Sequence, residues 1–242
     1  MTDTIIREVA KDVWIFSRPF ARFGLFPVGG RSTAIKLRSG GVWVLASTPL
    51  DAPTKAKIDE LGPVQYIINP DIVHHLYLPE FKKAYPDAKL IGIAETLERT
   101  EDKALKFDGV WGKDAPDAKY GFEDDVRVVM HPASPFFSGF KNKDVAFLHK
   151  DSKSLIQADL LFNLPANEQY SRSSFPAFGR MGPASWLHQK AVASLGVDKA
   201  AMKRDATTVA NWDFTRIIPC HGDVIENDGN KAWRDAYKAF LD

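Results

Sequence analysis

Four short stretches of this 242-residue chain each set a polar, metal-ligating side chain just behind an apolar run. The first is Tyr66-Ile-Ile-Asn69-Pro-Asp71-Ile-Val-His74-His75. The second is Met130-His131-Pro-Ala-Ser134-Pro, and the third is Ser154-Leu-Ile-Gln-Ala-Asp159-Leu-Leu-Phe. The fourth is Ile217-Ile-Pro-Cys220-His221-Gly-Asp223. Imidazole nitrogen and carboxylate oxygen together suit zinc, manganese or iron. A divalent ion held by such a set would activate water against a carbonyl or phosphoryl centre. The competing reading is structural: paired histidines donate ring N–H groups to carbonyls, and Asp159 caps the loop after it. Cys220 beside His221 could act as ligand or nucleophile. Strand alternation sends neighbours to opposite sides, so Cys220 reads as buried and inert.

The elements that must position these residues follow from patterning. Val13-Trp-Ile-Phe and Ser32-Thr-Ala-Ile-Lys-Leu read as strands, and the latter turns at Gly40-Gly41 into Val42-Trp-Val-Leu-Ala. Asp51 is placed to N-cap a helix through Leu61, closed by Gly62-Pro63. Val64–Ile68 is a strand, Pro79–Tyr85 a helix and Lys89–Ile93 a strand. Residues 95–125 read as one short helix near Glu95–Thr100 and otherwise loop. Strands are expected at Val126–Met130, Asp144–Leu148, Ser154–Ala158 and Phe214–Pro219, and helices at Ala184–Leu195, Lys199–Asn211 and Asn230–Leu241. Strands arriving in two batches, each followed by helices, imply two sheets face to face with helices outside.

Between Pro165 and Pro183 runs a long connection rich in Ser, Phe, Pro and Gly, the kind that serves as a functional loop. Arg172 or Arg180 could hold a substrate carboxylate or phosphate there, with Phe178 beside them. Phe20-Ala-Arg-Phe23-Gly-Leu-Phe26 could form an opposing apolar wall; alternatively the phenylalanines fill core and the arginines face water. His188, on a helix face, reads as a surface residue; His149 and Asp213 could belong to the site or fix the sheet edges, and the structural reading is preferred. Asp124-Asp125 and Lys82-Lys83 read as solvated charges.

Composition bounds the partners. Hydrophobic residues are 45% and aromatics 12%, enough for a large core, while 32 basic against 31 acidic residues leave a net charge of +1. That balance gives no pull toward nucleic acid or anionic lipid. One cysteine excludes a disulfide framework, no apolar run is long enough for a membrane span, and no secretory signal pattern opens the chain. A cytosolic protein acting on a small molecule is expected.

The order and setting of the four stretches resemble the metallo-β-lactamase superfamily from about residue 12 to 226. That family carries His-x-His-x-Asp-His after a strand, then Pro-Gly-His-Thr, Gly-Asp-x-Leu-Phe and a final Pro-x-His-Gly. Ala158-Asp159-Leu-Leu-Phe and Ile218-Pro-Cys-His221-Gly match the last two. His131-Pro-Ala-Ser134-Pro matches the turn in outline, and Tyr85-Pro86-Asp-Ala-Lys89-Leu matches the helix-to-strand passage. The resemblance implies a four-layer αββα sandwich filling residues 1–242 as one domain.

The first motif is depleted. If His74 takes its last place, Asn69 and Asp71 stand where histidines should. If His75 does, Pro70 and Ile72 stand there instead, and Ser134 replaces the turn histidine in either register. What the resemblance then implies is a one-ion site, zinc or else iron or manganese. His74, His75, Asp159 and His221 are its candidate ligands, with Asp71 as a base or further ligand and Asp159 also catalytic. The implied activity is hydrolysis of a small ester, lactone or thioester. The rival is a metal-free, non-catalytic member binding a small molecule or a protein partner. A nucleotide-binding oxidoreductase is disfavoured, since neither Gly29-Gly30 nor Gly40-Gly41 belongs to Gly-x-Gly-x-x-Gly.

Overall fold

The computed structural model describes residues 3–102, 104–115, 117–129 and 136–242. Its elements, in chain order, are strands β1 (Ile5–Ala10), β2 (Val13–Arg18), β3 (Ala21–Arg22), β4 (Phe26–Pro27), β5 (Gly30–Lys36) and β6 (Val42–Leu45). Helix α1 (Ala52–Leu61), β7 (Val64–Ile68), α2 (Leu78–Ala84), β8 (Lys89–Ile93), α3 (Thr96–Arg99) and β9 (Gly109–Trp111) come next. The second half holds β10 (Val126–Val128), β11 (Phe147–His149), β12 (Ser154–Gln157) and α4 (Asn167–Tyr170). It closes with α5 (Trp186–Leu195), α6 (Lys199–Ala210), β13 (Arg216–Pro219), α7 (Gly229–Ala236) and α8 (Lys238–Leu241).

A seven-stranded sheet has the order β1-β2-β5-β6-β7-β8-β9, and a four-stranded sheet the order β10-β11-β12-β13. Strands β6 to β9 run parallel, and so do β12 and β13. Alternation divides the core. In β6, Trp43 and Leu45 face the second sheet, while Val42 and Val44 face Ile58 of α1 and Phe81 of α2. The inner layer joins Trp43, Ile68 and Ile91 to Phe147, Leu155 and Ile217 across the two sheets. Met202, Val209, Trp233 and Tyr237 of the last helices continue that core. This is a four-layer αββα sandwich.

Asp51 caps α1 as its position implied, its Oδ1 accepting from Thr54 N at 3.0 Å. Strands β1, β3, β4 and β9 depart from the sequence reading. β1 pairs with β2 at the sheet edge, and β9 forms by pairing with β8 within a stretch read as loop. Ile5-Ile-Arg-Glu-Val-Ala does not alternate strictly and β9 is only three residues long, so periodicity did not reveal them. The long connection also contains the short helix α4. Asp125 is buried rather than solvated, its carboxylate 3.4 Å from Arg38.

Candidate metal centre

Parallel strands end together at one rim, where β7, β12 and β13 hand over to the loops carrying His74, Asp159 and His221. One ligand atom from each of these three lies within 4.8 Å of the other two. They stand at one end of a cleft of about 200 Å³, walled by Phe20, Val73, Leu76 and Tyr77.

The loop after β7 is folded by its own side chains. Asn69 Nδ2 donates to the carbonyls of Asp71 (2.7 Å) and His74 (3.0 Å), and its Oδ1 accepts from Thr96 Oγ1 at 2.8 Å. Asn69 is therefore consumed in shaping the loop. Asp71, wholly buried, accepts from the backbone amides of Val73 (2.8 Å) and His74 (2.7 Å) with Oδ1. Its Oδ2 accepts from His74 Nδ1 at 2.8 Å. A carboxylate on Nδ1 fixes the tautomer, leaving the Nε2 lone pair free to ligate.

His221 is set the same way by a different acceptor. Its Nδ1 donates to Gly29 O at 2.5 Å, again leaving Nε2 as acceptor. The ring stacks on Phe162, with centroids 5.7 Å apart and planes at 9°. Arg31, fully buried, donates to the carbonyls of Pro219 (2.7 Å) and Gly222 (2.6 Å), clamping the turn on both sides of His221. Gln169 adds bonds to Cys220 O and Gly222 N. Gly29 has φ +72°, and a Cβ there would lie 2.1 Å from Gln169 Oε1, so only glycine brings its carbonyl to His221.

Asp159 sits at the middle of a buried turn in which the Gln157 side chain bonds both N and O of Leu161. Its Oδ2 accepts from Asn142 Nδ2 at 2.6 Å, and its amide donates to Asp144 Oδ2 at 2.5 Å. Its Oδ1 is buried and has no hydrogen-bond partner among the described residues.

Three acceptor atoms thus face one another. His74 Nε2 lies 3.3 Å from His221 Nε2, which lies 3.3 Å from Asp159 Oδ1. Lone pairs crowded together out of water are repulsive unless positive charge stands among them. The donor set fits a divalent ion on chemistry alone. Burial by itself would lower the His74 pKa, but the carboxylates of Asp71 and Asp159 override it and raise it to about 10. At His221 burial prevails, and the pKa falls. Asp144 is pushed well above the usual carboxyl range by burial and then by Asp71 and Asp159.

The other sequence-derived candidates fall as follows. His75 lies outside the mutual group and is half-buried. Asp71 is also outside it, acting on His74 rather than facing the cluster. Arg172 donates to Thr4 O, and Arg172 and Arg180 are both exposed, away from the described cleft lining. Phe178 lines a neighbouring apolar groove that shares Phe20 with the cleft. The cation in the described cleft lining is Arg22. His131 and Ser134 lie outside the described residues. Cys220 is buried, and burial pushes its thiol pKa up.

His188 corrects an expectation: it is fully buried, not at the surface. Its Nε2 accepts from Phe162 N at 2.9 Å, and burial lowers its pKa to about 4. Asn142, Asp144, Gly29 and Arg31 escaped the sequence reading. The one signal was a charged Asp144 heading an otherwise apolar strand run.

Solved structures share this fold. The metallo-β-lactamase from Hirschia baltica aligns over 99% of this chain and 98% of its own, with TM-score 0.62 and 10% identity. That from Erythrobacter litoralis covers 99% and 98% (TM-score 0.64, 10% identity). The metallo-β-lactamase FIM-1 from Pseudomonas aeruginosa, in its mono-zinc form, covers 100% and 98% (TM-score 0.61, 12% identity). The fold is that of the metallo-β-lactamases. Within it, residues 10–177 match the family described as "Domain of unknown function (DUF4336)", and the chain belongs to that family. No curated protein matches the chain in sequence.

Proposed function

We propose that this protein is a single-metal hydrolase acting on a small ester, lactone or thioester, with His74, Asp159 and His221 as the protein ligands. The observation that carries the reading is the buried convergence of two imidazole lone pairs on a carboxylate oxygen that has no donor among the described residues. A divalent ion there, zinc or else iron or manganese, would supply Lewis-acid chemistry to a carbonyl centre. The chain's own part is preorganisation. Asp71 and the Gly29 carbonyl hold the two rings with Nε2 turned inward. Phe20, Val73 and Tyr77 give the cleft an apolar wall. Arg22, at the same cleft, is the group suited to an anionic substituent of the substrate. The solved relatives named metallo-β-lactamases support the class, and the mono-zinc form of one supports a single ion.

Metal analysis of chelator-free protein tests this. About one equivalent of zinc, iron or manganese is expected. It should vanish in His221→Ala together with turnover of a panel of esters, lactones and thioesters. Metal-free protein whose stability ignores all three ions would sink the reading. Metal retained by His221→Ala would sink the ligand assignment. One observation favours the rival, a metal-free binding module: a proton held on His74, with its pKa near 10, would satisfy the same lone pairs.

A further inference from the structure

An aspartate can meet an ion through one oxygen or two, and the surroundings of Asp159 bear on which. Its Oδ2 is engaged by a 2.6 Å hydrogen bond from Asn142 Nδ2, while Oδ1 faces His221. Both side chains are buried. Turning Oδ2 toward an ion would strand a buried amide donor, which is unfavourable. The segment carrying Asn142 is itself tied to the ligand loops. Asn142 O accepts from Ile72 N, Val145 N donates to Pro70 O, and Asp144 Oδ2 accepts from Asp159 N. Lys143, between the two, adopts φ +54° and sends its side chain to Glu95. A non-glycine residue held in that region signals a backbone fixed by its surroundings.

We infer that Asn142 is a positioning residue that restricts Asp159 to a single ligating oxygen, so that the chain offers three donor atoms and no more. The inference rests on reading His74, Asp159 and His221 as a metal site. Asn142 touches neither ion nor substrate; it acts through Asp159.

Cobalt(II), added to the full metal-free chain, is the probe. Wild-type protein is expected to bind it with the intense visible bands of an ion of low coordination number. Asn142→Leu removes the donor at similar volume, and the smaller Asn142→Val removes it with less bulk. In both, Oδ2 is released, and the bands should weaken and shift as the carboxylate closes on the ion. Cobalt affinity of Asn142→Leu should fall about 10- to 100-fold. A merely structural role would lower the melting temperature of the metal-free variant and leave the bands of bound cobalt unchanged. If Asn142→Leu does not fold, Asn142→Val decides. Unchanged bands in a variant that binds cobalt overturn this inference alone. A wild-type protein that takes up no cobalt overturns the metal reading, and the inference with it.

Discussion

Strand β12 connects two buried histidine settings that solve the same problem in opposite ways. At its start, His149 Nδ1 donates to Ser152 Oγ (2.7 Å), Ser152 Oγ donates to Ser154 Oγ (2.9 Å), and Ser154 Oγ donates to Ser152 O (3.3 Å). The nearby carboxylates of Asp125 and Asp151 both face Arg38. Each donor finds an acceptor, and the charges are paired within the chain. At the other end of β12, Asp71 and Gly29 orient two imidazoles so that their acceptor nitrogens meet Asp159 Oδ1. There three ligating atoms converge, and a proton on His74, with its pKa raised to about 10, or an ion must stand among them. A closed network is finished by folding, whereas an open one is finished by a ligand.

The largest expected consequence of that contrast is metal-linked stability. An ion bound to the folded state alone stabilises by about 2.7 kcal/mol at 100 times its dissociation constant. For a chain of this length that is a rise of roughly 5–10 °C in melting temperature. Zinc titrated into metal-free protein should give this shift in wild type and none in His221→Ala. Equal shifts in the two proteins would erase the distinction between the ends of β12.

A smaller effect is expected one layer out. Asp71→Asn keeps the shape of the side chain, and the amide oxygen can still accept from a backbone amide. It removes the carboxylate behind His74 Nδ1, so the ring is less basic and less firmly oriented. Metal affinity should fall about 10- to 100-fold while the metal stoichiometry at saturation is kept. A chelator competition showing wild-type affinity would mean that Asp71 only shapes the loop.

The two ends also differ in how far they could be read without coordinates. The sandwich was legible because β6 and its neighbours alternate between two cores and because Gly40-Gly41 and Asp51 punctuate them. β9 was not, since three residues in a polar stretch become a strand only by pairing with β8. His74, Asp159 and His221 were legible as ligand types just past strand ends. The choice between His74 and His75 was not, because it depends on a turn closed by Asp71 onto the amides of Val73 and His74. His188 was misplaced because a polar ring on a helix suggests water, whereas this one serves the buried amide of Phe162. Asn142 gave no signal, since its partner lies 17 residues along the chain and the contact exists only across two loops.

The least effect is expected at the closed end. In His149→Gln, the side-chain amide can donate to Ser152 Oγ as the ring N–H does, and the remaining hydroxyl chain stays intact. None of the atoms near Arg38, Asp125 or Asp151 approaches the Asp159 cluster through a described hydrogen bond, so metal content and the zinc-induced shift should equal those of wild type. The histidine burial itself lowers its pKa, so the variant also removes a group that is neutral when folded. Its stability relative to wild type should therefore improve as pH falls below the unfolded histidine pKa of about 6.5, because wild type alone must protonate that ring on unfolding. Metal loss in His149→Gln would show that the two ends are coupled through β12, and a flat pH difference would show that the ring titrates alike in the folded and unfolded chain.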